Sequence, residues 1–222
     1  MPPAGGMQVA FQIQQAMHAG LSRAPPGEAQ MQGTAPNRFD RRLTLTKPPI
    51  GDESGFRADS VHGKTCAPKG KTPVINRPGQ RQSISAASAV NAKGGFWFAT
   101  YQGALNAELF IELLKKMMKG RSKPVHLVVD GLPAHKKANV RGYIESTNGK
   151  LSMHVLPGYA PDLNPDELVW SHVKRTGVAR NPLRAGEKLE IRIDQQLRDM
   201  QNNRRIVRSF FDTPSVAYIS DC

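Results

Sequence analysis

The chain has 222 residues, with 31 Lys or Arg against 18 Asp or Glu, a formal charge of +13 and a pI near 10.1. That length suits one ordinary domain with some chain to spare, and the charge points to a polyanionic partner. No run of about 18 apolar residues exists, which excludes a helical membrane span. Cys66 and Cys222 show no C-x-x-C spacing, which excludes a disulfide framework and fits a reducing, cytoplasmic compartment. The first residues lack a basic start followed by an apolar core, so a secretory signal is not expected.

Residues 1–48 are rich in Pro, Gly, Ala, Gln and Met. MQVAFQIQQAMHAGL (7–21) could form a helix, but no partner helix follows, and the segment reads as mostly disordered or not a native domain. A single folded domain is expected over 49–222. The strand before Asp52 is poorly written, because RRLTLTKPPIG alternates at Leu43 and Leu45 and then meets Pro48 and Pro49. Residues 61–76 read as a short strand with turns. Residues 82–103 predict two strands around an Ala-Lys-Gly-Gly turn, with Phe96, Trp97, Phe98 and Tyr101 as core bulk. Asn106 is expected to cap a helix that buries Leu109, Leu113, Leu114 and Met117 and stops at Gly120.

PVHLVVD (124–130) predicts a buried strand with Asp130 at its tip, followed by a helix from Lys136 to Asn148 and a strand at 151–157. LPGYAPDLNPDELVW (156–170) places a carboxylate pair on a Pro/Asn-rich turn into a helix running from Leu163 to about Thr176, with Asp162 as N-cap. A charged helix is expected from Glu187 to about Asn203. Strands first, then alternating strand and helix, indicate an α/β sandwich with a mixed sheet flanked by helices.

Strand-end Asp52, strand-end Asp130 and helix-borne Glu167 converge if the strands carrying the first two are neighbours. Magnesium takes oxygen ligands, typically one or two carboxylates with substrate phosphates, and two such ions about 4 Å apart serve phosphoryl transfer. Taken singly, each acid reads as a turn or helix-end residue. His62, His126, His154 and His172 are scattered, without zinc-ligand spacing. Trp170 reads as core.

GDESGFRADSVHGKTCAPKGKTP, VVDGLPAH and LPGYAPDLNPDELVW occur in order, and together they resemble the DDE transposases of bacterial insertion sequences related to the Tc/mariner superfamily. The resemblance covers roughly 50–220. It implies a ribonuclease H-like fold, with Asp52, Asp130 and Glu167 as the metal-binding catalytic triad for Mg²⁺ or Mn²⁺, two ions in all. It further implies His135 and Asn164 as supporting residues. Three features depart from the family pattern. Asp166 stands where the family carries an apolar residue, Cys66 stands where it carries Trp, and residues 1–48 show no helix-turn-helix unit. A truncated or rearranged reading frame is the expectation.

The function this implies is a DNA transposase catalytic domain that acts at element ends and target DNA as a homodimer in a synaptic complex, in a bacterial cytoplasm close to the nucleoid. Lys69, Lys71, Lys136, Lys137, Lys174 and Arg175 are the candidate DNA contacts. Two other readings stand beside it: a catalytically inactive remnant that binds DNA nonspecifically, and another ribonuclease H-like nuclease such as a resolvase.

Overall fold

Strand β1 (Ile50–Arg57) begins directly after Pro48-Pro49 and runs through Asp52 to Arg57. Asp52 is therefore the third residue of an eight-residue strand and not its end, which corrects the sequence expectation. The prolines do not undo the strand because they lie ahead of it. The Pro49 carbonyl still accepts from the Val128 amide at 2.9 Å, and a proline at a strand's start forfeits no donor the ladder needs.

The computed structural model describes residues 48–59, 68–71, 81–156, 163–177, 183–184, 186–216 and 219. The segment 1–47 expected to be disordered, most of the expected strand at 61–76, and Cys66 and Asp162 lie outside the described residues. The remaining strands are β2 (Ser83–Val90), β3 (Phe96–Tyr101), β4 (Val125–Val129) and β5 (Leu151–Val155). The helices are α1 (Ala107–Met118), α2 (Ala138–Ser146), α3 (Pro165–Thr176), α4 (Leu189–Asn202) and α5 (Arg204–Ser209), with a 3-10 turn at Phe210–Asp212.

One five-stranded mixed sheet results, in the order β3-β2-β1-β4-β5. The first three strands pair antiparallel, and β1-β4 and β4-β5 pair parallel. The β2-β3 hairpin forms as its sequence predicts. Gly94 adopts φ +79°, and the Asn91 side chain accepts from the Gly95 amide at 2.8 Å. Asn106 caps α1 by accepting from the Leu109 amide at 2.8 Å. The buried face of α1 carries Phe110 where Leu109 was expected. Of the hairpin aromatics only Phe96 is fully buried; Trp97, Phe98 and Tyr101 are half-buried.

The core lies in two layers, one on each side of the sheet. Ile50, Phe56, Ile84, Val90 and Val128 face Trp170, Val173, Ile193 and Leu197 of α3 and α4. Ala89, Val125, Leu127 and Val129 face Phe110, Leu114 and Met117 of α1 and Val140 of α2. Trp170 is core, 1% exposed, with its ring edge-on to Phe56 at 5.8 Å. The expected helix at 136–148 is shorter, because Lys136 and Lys137 stay in the loop and Thr147-Asn148-Gly149 forms a turn with Asn148 at φ 50°.

Two histidines that look unrelated in sequence meet across β4 and β5. His126 Nδ1 lies 3.4 Å from His154 Nε2, and the rings stack at 5.7 Å. Burial lowers both pKa values below 6.5, and for His154 the neighbouring His126 adds to it. The folded state thus favours neutral rings. Their stabilising contribution is complete above the unfolded pKa of about 6.5 and is lost as pH falls through and below it. Replacing both with Gln is expected to reduce the loss of urea-unfolding free energy between about pH 7 and about pH 5 relative to the parent chain. An equal loss in both proteins would show that the pair is not held neutral.

Candidate active site

The pleat of β1 sends Asp52 and Glu53 to opposite faces of the sheet. Asp52 shares its face with Ile50, Ser54 and Phe56 and looks toward α3, whereas Glu53 looks toward α1 and the loop after β4. Gly51 precedes them where the chain is tight: a Cβ there would meet the Ser88 carbonyl at 3.1 Å and Leu127 Cδ1 at 3.4 Å.

On the α3 face, Asp52 is 7% exposed. Its Oδ2 accepts from the Asn164 side-chain amide at 3.1 Å, and its Oδ1 from the Glu53 backbone amide at 2.7 Å. Asn164 also caps α3, its Oδ1 accepting from the Asp166 amide at 3.0 Å. The N-cap is thus Asn164 and not Asp162. Pro165 follows at the first helical position, where the absent N–H costs nothing. One amide therefore fixes the start of the helix and the Asp52 carboxylate together, and the exposed Glu167 sits in the turn so placed.

Asp130 is the first residue beyond β4. The parallel register pairs Ile50 with Val128 and Gly51 with Val129, so Asp52 and Asp130 are the next residues along two adjacent strands. The structure brings all three expected acids into electrostatic reach. Burial, above all, pushes the Asp52 carboxyl up to about 8 against the Glu53 amide, and the charges of Glu167, Glu53 and Asp130 add to the rise. For Asp130 burial alone would raise the pKa. The hydrogen bonds from His135 and the Leu132 amide, with the charges of His135 and Lys136, outweigh it and hold the carboxyl low.

On the opposite face, His135 is fully buried. Its Nε2 lies 3.0 Å from Glu53 Oε1, and its Nδ1 lies 3.2 Å from the Asp130 carbonyl and 3.1 Å from Asp130 Oδ1. Phe110 covers the ring at 4.3 Å. Burial disfavours the cation, yet the bonds to Asp130 and Glu53 prevail and push the pKa up to about 9. Glu53 carries no role in the sequence reading beyond its pairing with Asp52, although alternation along IGDESGFR places the two acids on opposite faces.

Asp166 is fully buried. Its Oδ1 accepts from the Ser88 hydroxyl at 2.7 Å, and its Oδ2 has no hydrogen-bond partner. Burial, then the charge of Asp52, hold its pKa well above the usual carboxylate value, against the Ser88 hydrogen bond. Tyr101, half-buried, is pushed up to about 12 by burial and then by the charges of Glu53 and Asp52.

Asp52, Glu53, Asp130, Asp166 and Glu167 thus gather with His135 as their buried cationic neighbour. Buried polar atoms demand partners, and one carboxyl oxygen each of Glu53 and Asp166 has no hydrogen bond. A hard, oxygen-seeking divalent cation fits this donor set. Glu53, Asp130 and His135 also offer ligand atoms within 4.8 Å of one another, but both nitrogens of His135 are already occupied by acceptors, which leaves the carboxylates as the available donors.

Of the expected DNA contacts, Lys69 and Lys71 lie on an exposed turn and Lys136 and Lys137 on the exposed loop beside Asp130. Lys174 and Arg175 occupy the last turn of α3, two turns beyond Glu167. Arg204, Arg205 and Arg208, not anticipated, line an open groove of about 870 Å³ with Ser209 and Asp212.

The DDE superfamily endonuclease family matches residues 50–190, and the chain belongs to it. No curated protein matches in sequence. Among solved structures, the catalytic domain of Mos1 mariner transposase is similar at a TM-score of 0.53 and 13% identity, covering 99% of this chain and 96% of that one. The mariner Mos1 paired-end complex with Mg gives a TM-score of 0.56 at 13% identity, covering 98% of this chain and 63% of that one. The Mos1 strand transfer complex gives 0.53 at 15%, covering 97% of this chain and 63% of that one. The fold is accordingly ribonuclease H-like, and the chain spans less than two thirds of the longer Mos1 chains.

The Ser88–Asp166 bond joins α3 to β2 at the base of the site. Ser88→Ala is expected to cost about 1–3 kcal/mol in urea unfolding, since it strips a buried carboxyl of its donor. In an Asp166→Leu background the same change should cost much less, and equal costs in the two backgrounds would show the bond carries no coupling.

Proposed function

We propose that this chain is the catalytic domain of a DNA transposase, with Asp52, Asp130 and Glu167 as its metal-binding triad and 49–222 as the domain that carries them. The observation behind this reading is that Asp52 on β1 and Asp130 after β4 follow one another in register, while Asn164 ties Asp52 to the helix turn bearing Glu167. The reading of the chain as an inactive remnant rested on the unusual N-terminal segment, of which 1–47 lie outside the described residues, and on the poorly written strand before Asp52, which forms as β1. The Mos1 complexes with Mg and with Mn support Mg²⁺ or Mn²⁺ as the cation.

When bound, a pair of divalent ions supplies Lewis acidity and neutralises charge at the scissile phosphate. The chain's own groups hold and orient. Asp52 inside β1 and Asp130 just past the end of β4 stand side by side, Glu167 closes the site from the helix, and Asn164 keeps Asp52 aimed. Water then attacks the phosphodiester at the element's end and releases a 3′-hydroxyl. That hydroxyl attacks a target phosphodiester, so one P–O bond forms as another breaks. Lys136 and Lys137 beside Asp130, with Lys69, Lys71, Lys174 and Arg175, bind DNA phosphates. Lys174 lies seven residues after Glu167, roughly 10 Å along one face of α3, which suits a strand running away from the cleavage point. Two copies acting on paired element ends form the working unit in this reading, in line with the Mos1 paired-end complexes.

Asp130→Ala and Glu167→Ala are each expected to lower Mg²⁺-dependent nicking by more than about 100-fold while gel-shift affinity for DNA is largely retained. Wild-type nicking in either variant would remove the assignment. Lys136→Gln combined with Lys137→Gln is expected to reduce the slope of log affinity against log salt by about two. An unchanged slope would place the DNA elsewhere.

A further inference from the structure

We infer that Glu53 is a positioning residue for the second carboxylate of the site: acting through His135, it sets how far Asp130 stands from Asp52. The inference rests on the metal-site reading above. It starts from a gap in the sheet. Paired residues of β1 and β4 end at Gly51 and Val129, one step before the two acids, although β1 itself continues to Arg57 and stays paired with β2 throughout. Beyond that point no backbone ladder fixes the spacing between Asp52 and Asp130.

A side-chain bridge spans the gap instead. Glu53 Oε1 lies 3.0 Å from His135 Nε2, and His135 Nδ1 reaches both the carbonyl and the Oδ1 of Asp130, at 3.2 and 3.1 Å. The ring is fully buried beneath Phe110 of α1, and the Glu53 side chain is only 11% exposed. Since both ring nitrogens are occupied, His135 cannot turn to another partner without breaking the bridge. The Leu132 amide completes the fixing of Asp130 Oδ1 at 3.2 Å. The adjacent pair Asp52-Glu53 thus divides its work by the pleat: Asp52 faces the substrate side, and Glu53 holds the second acid from behind.

Calorimetric titration of the full chain with Mn²⁺ alone, paired with nicking assays across Mn²⁺ concentration, tests this. Glu53→Ala is expected to weaken Mn²⁺ binding about 10- to 100-fold without changing the number of ions bound, and nicking should recover at high Mn²⁺. Glu53→Gln, which still offers His135 an acceptor, should bind Mn²⁺ more tightly than Glu53→Ala. Should Glu53→Ala fail to fold, as read by circular dichroism, Glu53→Gln carries the test through a smaller weakening. His135→Ala should add little to Glu53→Ala, since both cut one bridge. Unchanged Mn²⁺ affinity in the Glu53 variants, or fully additive losses, overturns the inference, and a lost ion in Glu53→Ala overturns it by making Glu53 a ligand itself. Asp130→Ala separates the two readings. If it leaves Mn²⁺ binding intact, the metal-site reading fails, whereas if it abolishes binding and the Glu53 variants do not weaken it, only the positioning role fails.

Discussion

The structure depends on holding mutually repelling carboxyl groups together where β1 and β4 part. Two unit charges about 4 Å apart at a protein surface interact by about 4 kcal/mol, so this gathering is tolerable only with fixed donors and a cationic partner. The donors are few and specific: the Asn164 amide and the Glu53 backbone on Asp52, Ser88 on Asp166, and His135 between Glu53 and Asp130. Burial first, and then the charges of Glu167, Glu53 and Asp130, hold the Asp52 carboxyl up at about 8 despite the Glu53 amide. In a chain of formal charge +13, the buried carboxyls Asp52 and Asp166 both lie at this one place among the described residues.

That arrangement uses the sheet in an economical way. Small residues let the strands carry it: Gly51 admits the Ser88 carbonyl, and β2 (SISAASAV) presents little bulk beneath α3. The larger side chains lie farther out, where Trp170, Phe56 and Leu197 close one layer and Phe110 and Leu114 the other. Both layers contribute directly to the site, one through the helix bearing Glu167 and the other through the ring that covers His135.

Much of this was legible in the residues. The strand ending at Asp130, the Asn106-capped helix and the Pro/Asn turn into α3 carry local signals, in β-branched runs, caps and helical spacing, that survive into the fold. What was not legible depends on register and on pairing over long sequence distances. Pro48-Pro49 obscured β1 because its start is set by the partner amide of Val128 and not by its own composition. His126 and His154 are 28 residues apart, and only the parallel register of β4 with β5 brings them together. Ser88 sits in a run of Ser and Ala that gives no hint which one will meet a carboxyl. The Asp162 cap lost to Asn164 because Asn164 satisfies a helix amide and a buried acid at once.

Asp166 shows how such a site absorbs a departure. An apolar side chain would need only space at this position, whereas a carboxyl needs a donor or a proton. Ser88 supplies the donor for one oxygen, and the raised pKa means the proton is retained well above the usual carboxylate range. A neutral acid adds no charge to the repulsion around Asp52, and its hydrogen bond pins the first turn of α3 to β2. The next residue, Glu167, is exposed. Two adjacent acids on one helix turn are thereby separated by burial, Asp166 turned into the protein and Glu167 turned out of it.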